Sequence, residues 1–286
     1  MNYTISLPSF IFVEGKKIYF IYQKQKINDC KNNFYIVFFS WYAPIVVDQI
    51  NFFPRERTIF CCNSKEEQVF LSYLNFKSIF CPAPSLITNT DIFFFEESPV
   101  VHNAIYNAGM LNWKNHILAK EIKNLAFIYY QNDFLYEKYL KKNLKASWIN
   151  EKDGFYKMLN IKEVAKEIQK SNVGLCLSFQ EGCMAASLEY LLCGKPVVSV
   201  KSEGGRHSFY EDYFVKIVEP DCNKIKNAVD EFCLDLPDPI YIRNKTIQKI
   251  EKMKNCFIDC FLEIAGISFE KINQYEFKSF NQKFIL

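Results

Sequence analysis

The chain has little glycine and almost no net charge. Its 286 residues include 9 Gly, and 35 basic against 32 acidic residues leave a formal net charge of +3. So small a net charge carries no electrostatic signature of nucleic-acid binding, and we expect no nucleic-acid partner. The low glycine content argues against a fibrous or low-complexity chain. The sequence therefore favours a folded protein of one large domain or two smaller ones.

The sequence also lacks the segments that direct a chain into or through a membrane. Residues 1–8 show no basic segment followed by an apolar one, and nowhere do 18 apolar residues run together. We therefore predict a cytoplasmic protein, with any membrane contact peripheral and at the inner face of the cell membrane.

Paired Cys-x-x-Cys motifs, which commonly bind a structural zinc ion, are absent. The 11 cysteines are odd in number, and most lie in apolar runs such as 59–62 and 175–177. Such thiols are usually small core residues in a reducing compartment. We expect free, buried thiols and no metal ion.

Aromatic side chains are abundant, with 28 Phe and 17 Tyr. Short apolar runs rich in aromatic and β-branched residues alternate with segments of helical character. This alternation is typical of β-α units around a mostly parallel sheet, so we predict the α/β class. Proline and polar residues interrupt the pattern near 95–100. We place domains at 1–97 and 98–239, followed by a carboxy-terminal helix and tail at 240–286.

The same pattern predicts individual elements. In the first half we predict a helix over 65–74, capped by Asn63-Ser64, and strands at 35–39, 58–62 and 78–81. In the second half we predict strands at 100–106, 125–130, 146–149, 173–178, 196–200 and 214–218. Helices are predicted there at 114–123, 161–170, 184–193, 223–232 and 240–264.

A loop between a buried strand and a helix carries the first chemical signal. The strand at 173–178 runs into the loop 179–182, and the following helix begins with small residues such as Cys183 and Ala185. Small side chains at such a turn let a ligand reach the backbone N–H groups of the helix N-terminus, which suits phosphate. This stretch predicts a cradle for the diphosphate of a nucleotide.

Two carboxylates flank the cradle. Glu181 lies in the loop, and Glu189 follows about two turns into the predicted helix. Apolar neighbours would bury Glu189, and a buried carboxylate needs a hydrogen-bonding partner such as a diol. The pair is therefore suited to hold two sugars.

Further residues complete an ordered motif. Glu181 and Glu189 are followed by the segment Leu192-Cys193-Gly194-Lys195-Pro196-Val197-Val198 and then by Gly204-Gly205. In this order the residues resemble the nucleotide-sugar half of family 4 (group 1) retaining GT-B glycosyltransferases. Upstream, Tyr106-Asn107-Ala108 and Trp113-Lys114-Asn115-His116 are similar to the segment in which that family places a pyrophosphate-binding lysine. Gly109 replaces the arginine that commonly lies five residues before this lysine, and Arg206 or Lys195 is a candidate substitute.

The resemblance implies a fold and a set of roles. It implies a GT-B-like arrangement of two Rossmann-like domains facing a cleft, with a reduced amino-terminal domain. Glu181 would contact the transferred sugar and Lys114 would stabilise the leaving diphosphate, so these two are the catalytic candidates. The donor-binding candidates are Glu189 for the ribose, Gly182, Cys183, Met184 and Ala185 for the phosphates, the loop residues Gly204, Gly205 and Arg206, and Ile149 with Asn150 beside the base. Neither a metal ion nor another cofactor is implied.

The implied activity is transfer of a sugar, with retention, from a nucleotide-diphosphate sugar to a glycan or lipid-linked acceptor in bacterial surface polysaccharide or lipopolysaccharide biosynthesis. Two alternatives stay open. One is a non-catalytic GT-B-like binding protein, favoured by Gly109 and by the short amino-terminal half. The other is a GT-B-fold nucleotide-sugar epimerase, which would need additional acid and base residues between the domains.

Overall fold

The computed structural model describes residues 10–13, 16–22, 33–39, 50–130 and 133–266, and within them the larger strands form two separate sheets. Each of the predicted segments, 1–97, 98–239 and 240–286, includes some residues outside these ranges, and the structure does not describe those residues.

The first sheet consists of five strands that lie side by side in chain order. They are β1 (Phe10–Val13), β2 (Lys16–Tyr22), β3 (Asn33–Phe38), β4 (Thr58–Cys62) and β5 (Lys77–Phe80). β1 pairs antiparallel with β2, and the remaining pairs are parallel. Side chains of β3 alternate between two apolar clusters, with Ile36 and Phe38 in one and Tyr35 and Val37 in the other. The sheet is thus covered on both faces, as parallel sheets are.

The helix after β4 begins with a reciprocal cap. It is α1 (Lys65–Tyr73), and the short α2 (Ala83–Ile87) follows β5. Ser64 Oγ accepts a hydrogen bond from the N–H of Glu67 at 3.2 Å, and Glu67 Oε2 accepts one from the N–H of Asn63 at 2.7 Å. The first bond satisfies one of the N–H groups that a helix start leaves free, and the second ties the residue before the cap to the first turn. The predicted helix is confirmed, and of the two residues predicted to cap it, Ser64 provides the cap.

The second sheet has six strands, and every neighbouring pair is parallel. The strands are β6 (His102–Gly109), β7 (Leu125–Tyr130), β8 (Ala146–Trp148), β11 (Ser171–Cys176), β12 (Val197–Val200) and β13 (Val215–Val218), with a small hairpin of β9 (Glu151–Lys152) and β10 (Phe155–Tyr156) after β8. Their order across the sheet is β13-β12-β11-β6-β7-β8. The chain order therefore reverses between β6 and β11, which makes this pair the switch point of a Rossmann-type sheet.

Helices connect or follow the strands of this sheet. They are α3 (Phe134–Asn143), α4 (Ile161–Gln169), α5 (Ala185–Leu192) and α6 (Cys222–Leu234). The predicted α/β class, with two Rossmann-like domains of which the amino-terminal one is reduced, is confirmed. The residue numbers at which the domains were divided stay predictions.

A long final helix joins the two sheets. α7 (Pro239–Ala265) starts against Gly194, and Arg243 donates hydrogen bonds to the carbonyls of Phe93 and Leu192. Near its other end, Phe257 packs against Phe38 of the first sheet with ring centroids 6.2 Å apart. One apolar core therefore runs through both domains and holds them together. No helix in the described ranges is long and apolar enough to span a lipid bilayer.

Some element predictions are wrong. The helix at 114–123 is replaced by two short 3-10 turns, Asn112–Lys114 and His116–Ala119. Asn115 separates them because its backbone is left-handed, with φ of 55°, and its side chain donates to the carbonyl of Leu177. The strand predicted at 100–106 lies at His102–Gly109, and β1 and β2 were not predicted. The ten cysteines in the described ranges are free thiols, as expected, but only five of them are buried and Cys256 is exposed.

Candidate functional site

A cavity of about 590 Å³ opens at the switch point of the second sheet. Its walls come from the carboxyl end of β6, the turn after it, and the start of α5, and they include Asn107, Lys114, Glu181 and Glu189. Open α/β sheets bind ligands in the crevice outside the strand ends at this point. We call this space the switch-point cavity.

Lys114 and Glu181 form an ion pair on the cavity wall. Lys114 Nζ lies 2.5 Å from Glu181 Oε1, and both side chains are about nine-tenths buried. Ser178 Oγ contacts the same carboxylate oxygen. The backbone carbonyl of Lys114 accepts a hydrogen bond from Tyr106 Oη at 2.7 Å, which fixes the turn that presents the lysine. The arrangement places one cation and one carboxylate side by side at the strand ends.

Glu189 is a buried carboxyl group with an amide partner. It is 3 % exposed, and its Oε2 accepts a hydrogen bond from Asn107 Nδ2 at 3.0 Å. Tyr130 Oη donates to Asn107 Oδ1 at 3.0 Å, which orients the amide. Burial raises the pKa of Glu189 to about 7, although the hydrogen bond from Asn107 acts in the opposite direction. The group is therefore close to half-ionised near neutral pH.

Two glycines allow a close backbone packing beside Glu181. The N–H of Glu181 donates to the carbonyl of Glu203 at 3.1 Å, and the N–H of Gly205 donates to the carbonyl of Gly182 at 2.6 Å. A Cβ at Gly204, where φ is +106°, would lie 1.7 Å from the Glu181 carbonyl oxygen, and one at Gly205 would lie 1.8 Å from the carbonyl oxygen of Asn63. The second contact reaches the first domain. Only glycine fits either position.

Comparison with solved structures identifies the overall arrangement. HepE from Anabaena in complex with UDP superimposes with a TM-score of 0.61 at 11 % identity, covering 81 % of this chain and 72 % of that one. TarM from S. aureus, in a complex containing UDP, gives 0.59 at 13 % identity over 81 % and 51 % of the two chains. The pneumococcal O-GlcNAc transferase GtfA, in complex with UDP and GlcNAc, gives 0.55 at 12 % identity over 82 % and 52 %. The chain has the GT-B fold. No protein-family model and no curated protein sequence matches it.

Within this GT-B fold the structure brings together half of the predicted site residues. Those that line the switch-point cavity are Lys114, Glu181, Cys183, Met184, Ala185 and Glu189. Gly182, Gly204 and Gly205 lie directly beside Glu181 in the paired loops described above. The roles assigned to these residues stay predictions.

Arg206 and Lys195, the two candidates to replace an arginine at position 109, do not reach the cavity. Arg206 is 1 % exposed and donates to Ser178 Oγ and to the carbonyl of Val200, so it lies behind Glu181. Lys195 is buried elsewhere and donates to the carbonyl of Gln169 at 2.9 Å. Gly109 does line the cavity. The prediction that Arg206 contacts the donor therefore needs correction, because its guanidinium is used inside the protein.

The loop at Ile149 and Asn150 is also not part of the cavity wall. Asn150 is 1 % exposed, and its side chain accepts from the N–H of Tyr129 at 2.7 Å and donates to the carbonyl of Lys157 at 3.0 Å. Ile149 packs against the core. These contacts hold the hairpin β9–β10 against β7. Asn150 therefore stabilises the loop, whereas the prediction placed it beside the base.

Sequence reasoning assigned no role to Asn107, Tyr130 or Ser178. Asn107 is a polar residue inside the apolar strand β6, and Ser178 directly precedes the loop that carries Glu181. An amide in a buried strand needs a partner, which was a usable signal. Within the described ranges no three His, Cys, Asp or Glu side chains group as a metal site would.

Proposed function

We propose that the chain is a glycosyltransferase that moves a sugar, with retention and without a metal ion, from a nucleotide-diphosphate sugar to a glycan or lipid-linked acceptor. The observation that carries the proposal is the meeting of Lys114, Glu181 and Glu189 in one cavity at the switch point of a GT-B fold. HepE, TarM and GtfA share this fold, and their structures contain UDP. Uridine sugar nucleotides are therefore the first donors to test.

The start of α5 supports a diphosphate beside Lys114. The residue at the N-cap, Met184, has no side-chain acceptor, so no cap occupies the first N–H groups of the helix. Cys183 and Ala185 are small and line the cavity, which leaves room for an anion to approach these N–H groups. Lys114 is the only cationic side chain among the described residues of the cavity wall. We place the diphosphate between Lys114 and α5.

The proposed reaction breaks the bond between the anomeric carbon and the diphosphate oxygen. The electron pair of that bond stays on the leaving diphosphate, whose growing charge Lys114 and the helix N–H groups stabilise. The acceptor hydroxyl oxygen attacks the anomeric carbon from the same face, and its proton passes to the leaving phosphate oxygen. Glu181 holds the transferred sugar, and Glu189 accepts hydrogen bonds from the ribose hydroxyls. No protein base is needed in this scheme.

The acceptor has a place between the domains. A second cavity of about 930 Å³ is lined by Lys65 and Glu66 of α1, by Gly204 and His207, and by Lys252 of α7. Gly204 also packs against the backbone of Glu181, so one loop separates the two cavities. This position supports an acceptor bound by the reduced amino-terminal domain and delivered to the sugar. Cytoplasmic synthesis of a surface polysaccharide or lipopolysaccharide would use this activity.

A non-catalytic binding protein is the second candidate. It is favoured by Gly109, which leaves the cavity wall without the arginine that the resemblance leads one to expect. Such a protein would bind the sugar nucleotide and release no nucleoside diphosphate.

The test is a transfer assay in two stages. A thermal-shift screen with uridine, guanosine, adenosine and cytidine sugar nucleotides selects the donor, and release of nucleoside diphosphate is then measured with glycan acceptors. We expect Glu181→Ala to abolish release while the protein stays folded. The control is Glu121→Ala, since Glu121 forms an exposed ion pair with Lys120 away from the cavity wall. Release at the wild-type rate by Glu181→Ala would contradict the mechanism, and donor binding without release would favour the second candidate.

A further inference from the structure

Arg206 is a fully buried cation without a carboxylate partner. It is 1 % exposed, its Nη2 donates to the carbonyl of Val200 at 2.7 Å, and its Nη1 donates to Ser178 Oγ at 2.9 Å. No Asp or Glu of the described chain forms an ion pair with it. Burying a guanidinium is costly unless its charge is compensated. Its hydrogen-bonded link to an anion runs through Ser178.

Ser178 connects Arg206 to Glu181. Its Oγ contacts both Arg206 Nη1 and Glu181 Oε1. Arginine can only donate, and a serine hydroxyl carries a single hydrogen. The hydroxyl therefore accepts from Arg206 and donates its own hydrogen to Glu181. Charge-assisted hydrogen bonds of this kind polarise one another in a buried site.

The carboxylate of Glu181 is thus held from two sides. Lys114 Nζ reaches its Oε1 from the cavity, and Ser178 reaches the same oxygen from the interior. If donor phosphates draw Lys114 away, Ser178 and Arg206 still hold the carboxylate in place. The residues that carry these groups are far apart in sequence: Arg206 follows Ser178 by 28 residues, and Glu181 follows Lys114 by 67.

We propose that Arg206 is a positioning residue that acts through Ser178 to hold Glu181 in the orientation needed to engage the transferred sugar, and that it makes no contact with the donor. This inference rests on the proposed function. It separates two properties: affinity for the nucleoside diphosphate, which depends on Lys114 and α5, and reaction of the sugar, which depends on the chain Arg206–Ser178–Glu181.

The experiment compares four variants of the full chain in two assays. Calorimetry measures affinity for the nucleoside diphosphate, and steady-state kinetics measures kcat and KM for donor turnover. The variants are Ser178→Ala, Arg206→Met, Arg206→Lys and the control Arg243→Met. Arg243 is a suitable control because it is another arginine that donates to backbone carbonyls, those of Phe93, Leu192 and Thr90, and it is half-buried where Arg206 is fully buried.

We expect Ser178→Ala and Arg206→Met to lower kcat by roughly 10- to 100-fold, as misplacement of a reacting group does, with diphosphate affinity changed less than about threefold. The double variant with Ser178→Ala and Arg206→Met should have a kcat little lower than that of either single variant, since both substitutions interrupt the same series of hydrogen bonds. Arg206→Lys should recover part of kcat. Arg243→Met should lower Tm without lowering kcat. Loss of diphosphate affinity in Arg206→Met, to the extent seen in Lys114→Ala, would overturn the inference, and so would an unchanged kcat.

A third measurement, thermal unfolding, does not require an active enzyme. The Tm losses of Glu181→Ala and Arg206→Met should be less than additive in the wild-type background and additive in the Ser178→Ala background. Additive Tm losses in both backgrounds would refute the coupling of Arg206 to Glu181 through Ser178, even if the wild type proved inactive. An inactive wild type with the expected coupling would instead refute the proposed function alone.

Discussion

The carboxyl group of Glu189 should make the stability of the folded chain depend on pH near neutrality. Its pKa rises from an ordinary value of 4.5 to about 7 on folding because the group is buried. Between these two values the folded state binds a proton that the unfolded state has lost. The free energy of unfolding therefore falls as pH increases from 4.5 to 7, and it levels off above that range.

The size of this effect follows from the shift. Moving the pKa from 4.5 to about 7 corresponds to about 3 kcal/mol less stability for the ionised folded state. For a chain of this length 1 kcal/mol changes Tm by about 2–4 °C, so the full effect is roughly 6–12 °C. Glu189→Gln is neutral at every pH, is nearly isosteric, and can still accept from Asn107. It should lack this dependence.

The assay is thermal unfolding of wild type and Glu189→Gln in matched buffers from pH 5 to pH 8.5. Other titrating groups are common to both proteins and cancel in the difference. We expect Glu189→Gln to be the more stable protein at pH 8, by a margin that shrinks towards pH 5. The same variant should bind a nucleoside diphosphate more weakly at pH 8, because an amide offers fewer acceptors for the ribose diol than a carboxylate. A Tm difference that does not vary with pH would refute the account of Glu189.

Other predictions concern the cavity wall and the strand beneath it. Lys114→Ala should weaken nucleoside-diphosphate binding by roughly 10- to 100-fold, which corresponds to the binding free energy of a hydrogen bond to a charged group. Calorimetry tests this, with Lys120→Ala as the control. Gly204→Ala should abolish donor turnover, since its Cβ would overlap the Glu181 carbonyl oxygen, and circular dichroism should show that the fold persists. Gly174→Ala should lower stability by about 1–3 kcal/mol in denaturant unfolding, because its Cβ would lie 2.2 Å from the Tyr190 ring. Burial raises the pKa of the Cys183 thiol, so it should react with iodoacetamide only slowly at pH 7, and a bound donor should slow the reaction further.

The convergence of Glu181 and Glu189 could be predicted from the sequence because local rules determine it, whereas Lys114 was predicted from the resemblance. A strand that ends at a loop, followed by a helix, places Glu181 at the sheet edge and Glu189 on the helix that starts there. The turn with Lys114 follows another strand of the same parallel sheet, whose carboxyl ends share that edge. The Ser64 cap of α1 is equally local, since its partners lie within four residues.

The predictions that needed correction depend on distant partners. Asn115 interrupts the helix predicted at 114–123, and its side chain donates to the carbonyl of Leu177. Asn150 forms hydrogen bonds with Tyr129 and Lys157. Arg206 was assigned to the donor as a candidate substitute for the arginine that Gly109 replaces. Its actual partner, Ser178, lies 28 residues earlier, and no periodicity in the sequence reports such a contact. The contact between Phe257 of α7 and Phe38 of the first sheet likewise joins residues that are far apart in sequence.

The most direct test of the central claim is a calorimetric titration of the full chain with a sugar nucleotide chosen by the thermal-shift screen. The account predicts saturable binding with one site per chain, weakened in both Lys114→Ala and Glu189→Gln and retained in Lys120→Ala. Absence of binding for all four nucleotide classes would contradict it, as would binding that is indifferent to Lys114 and Glu189.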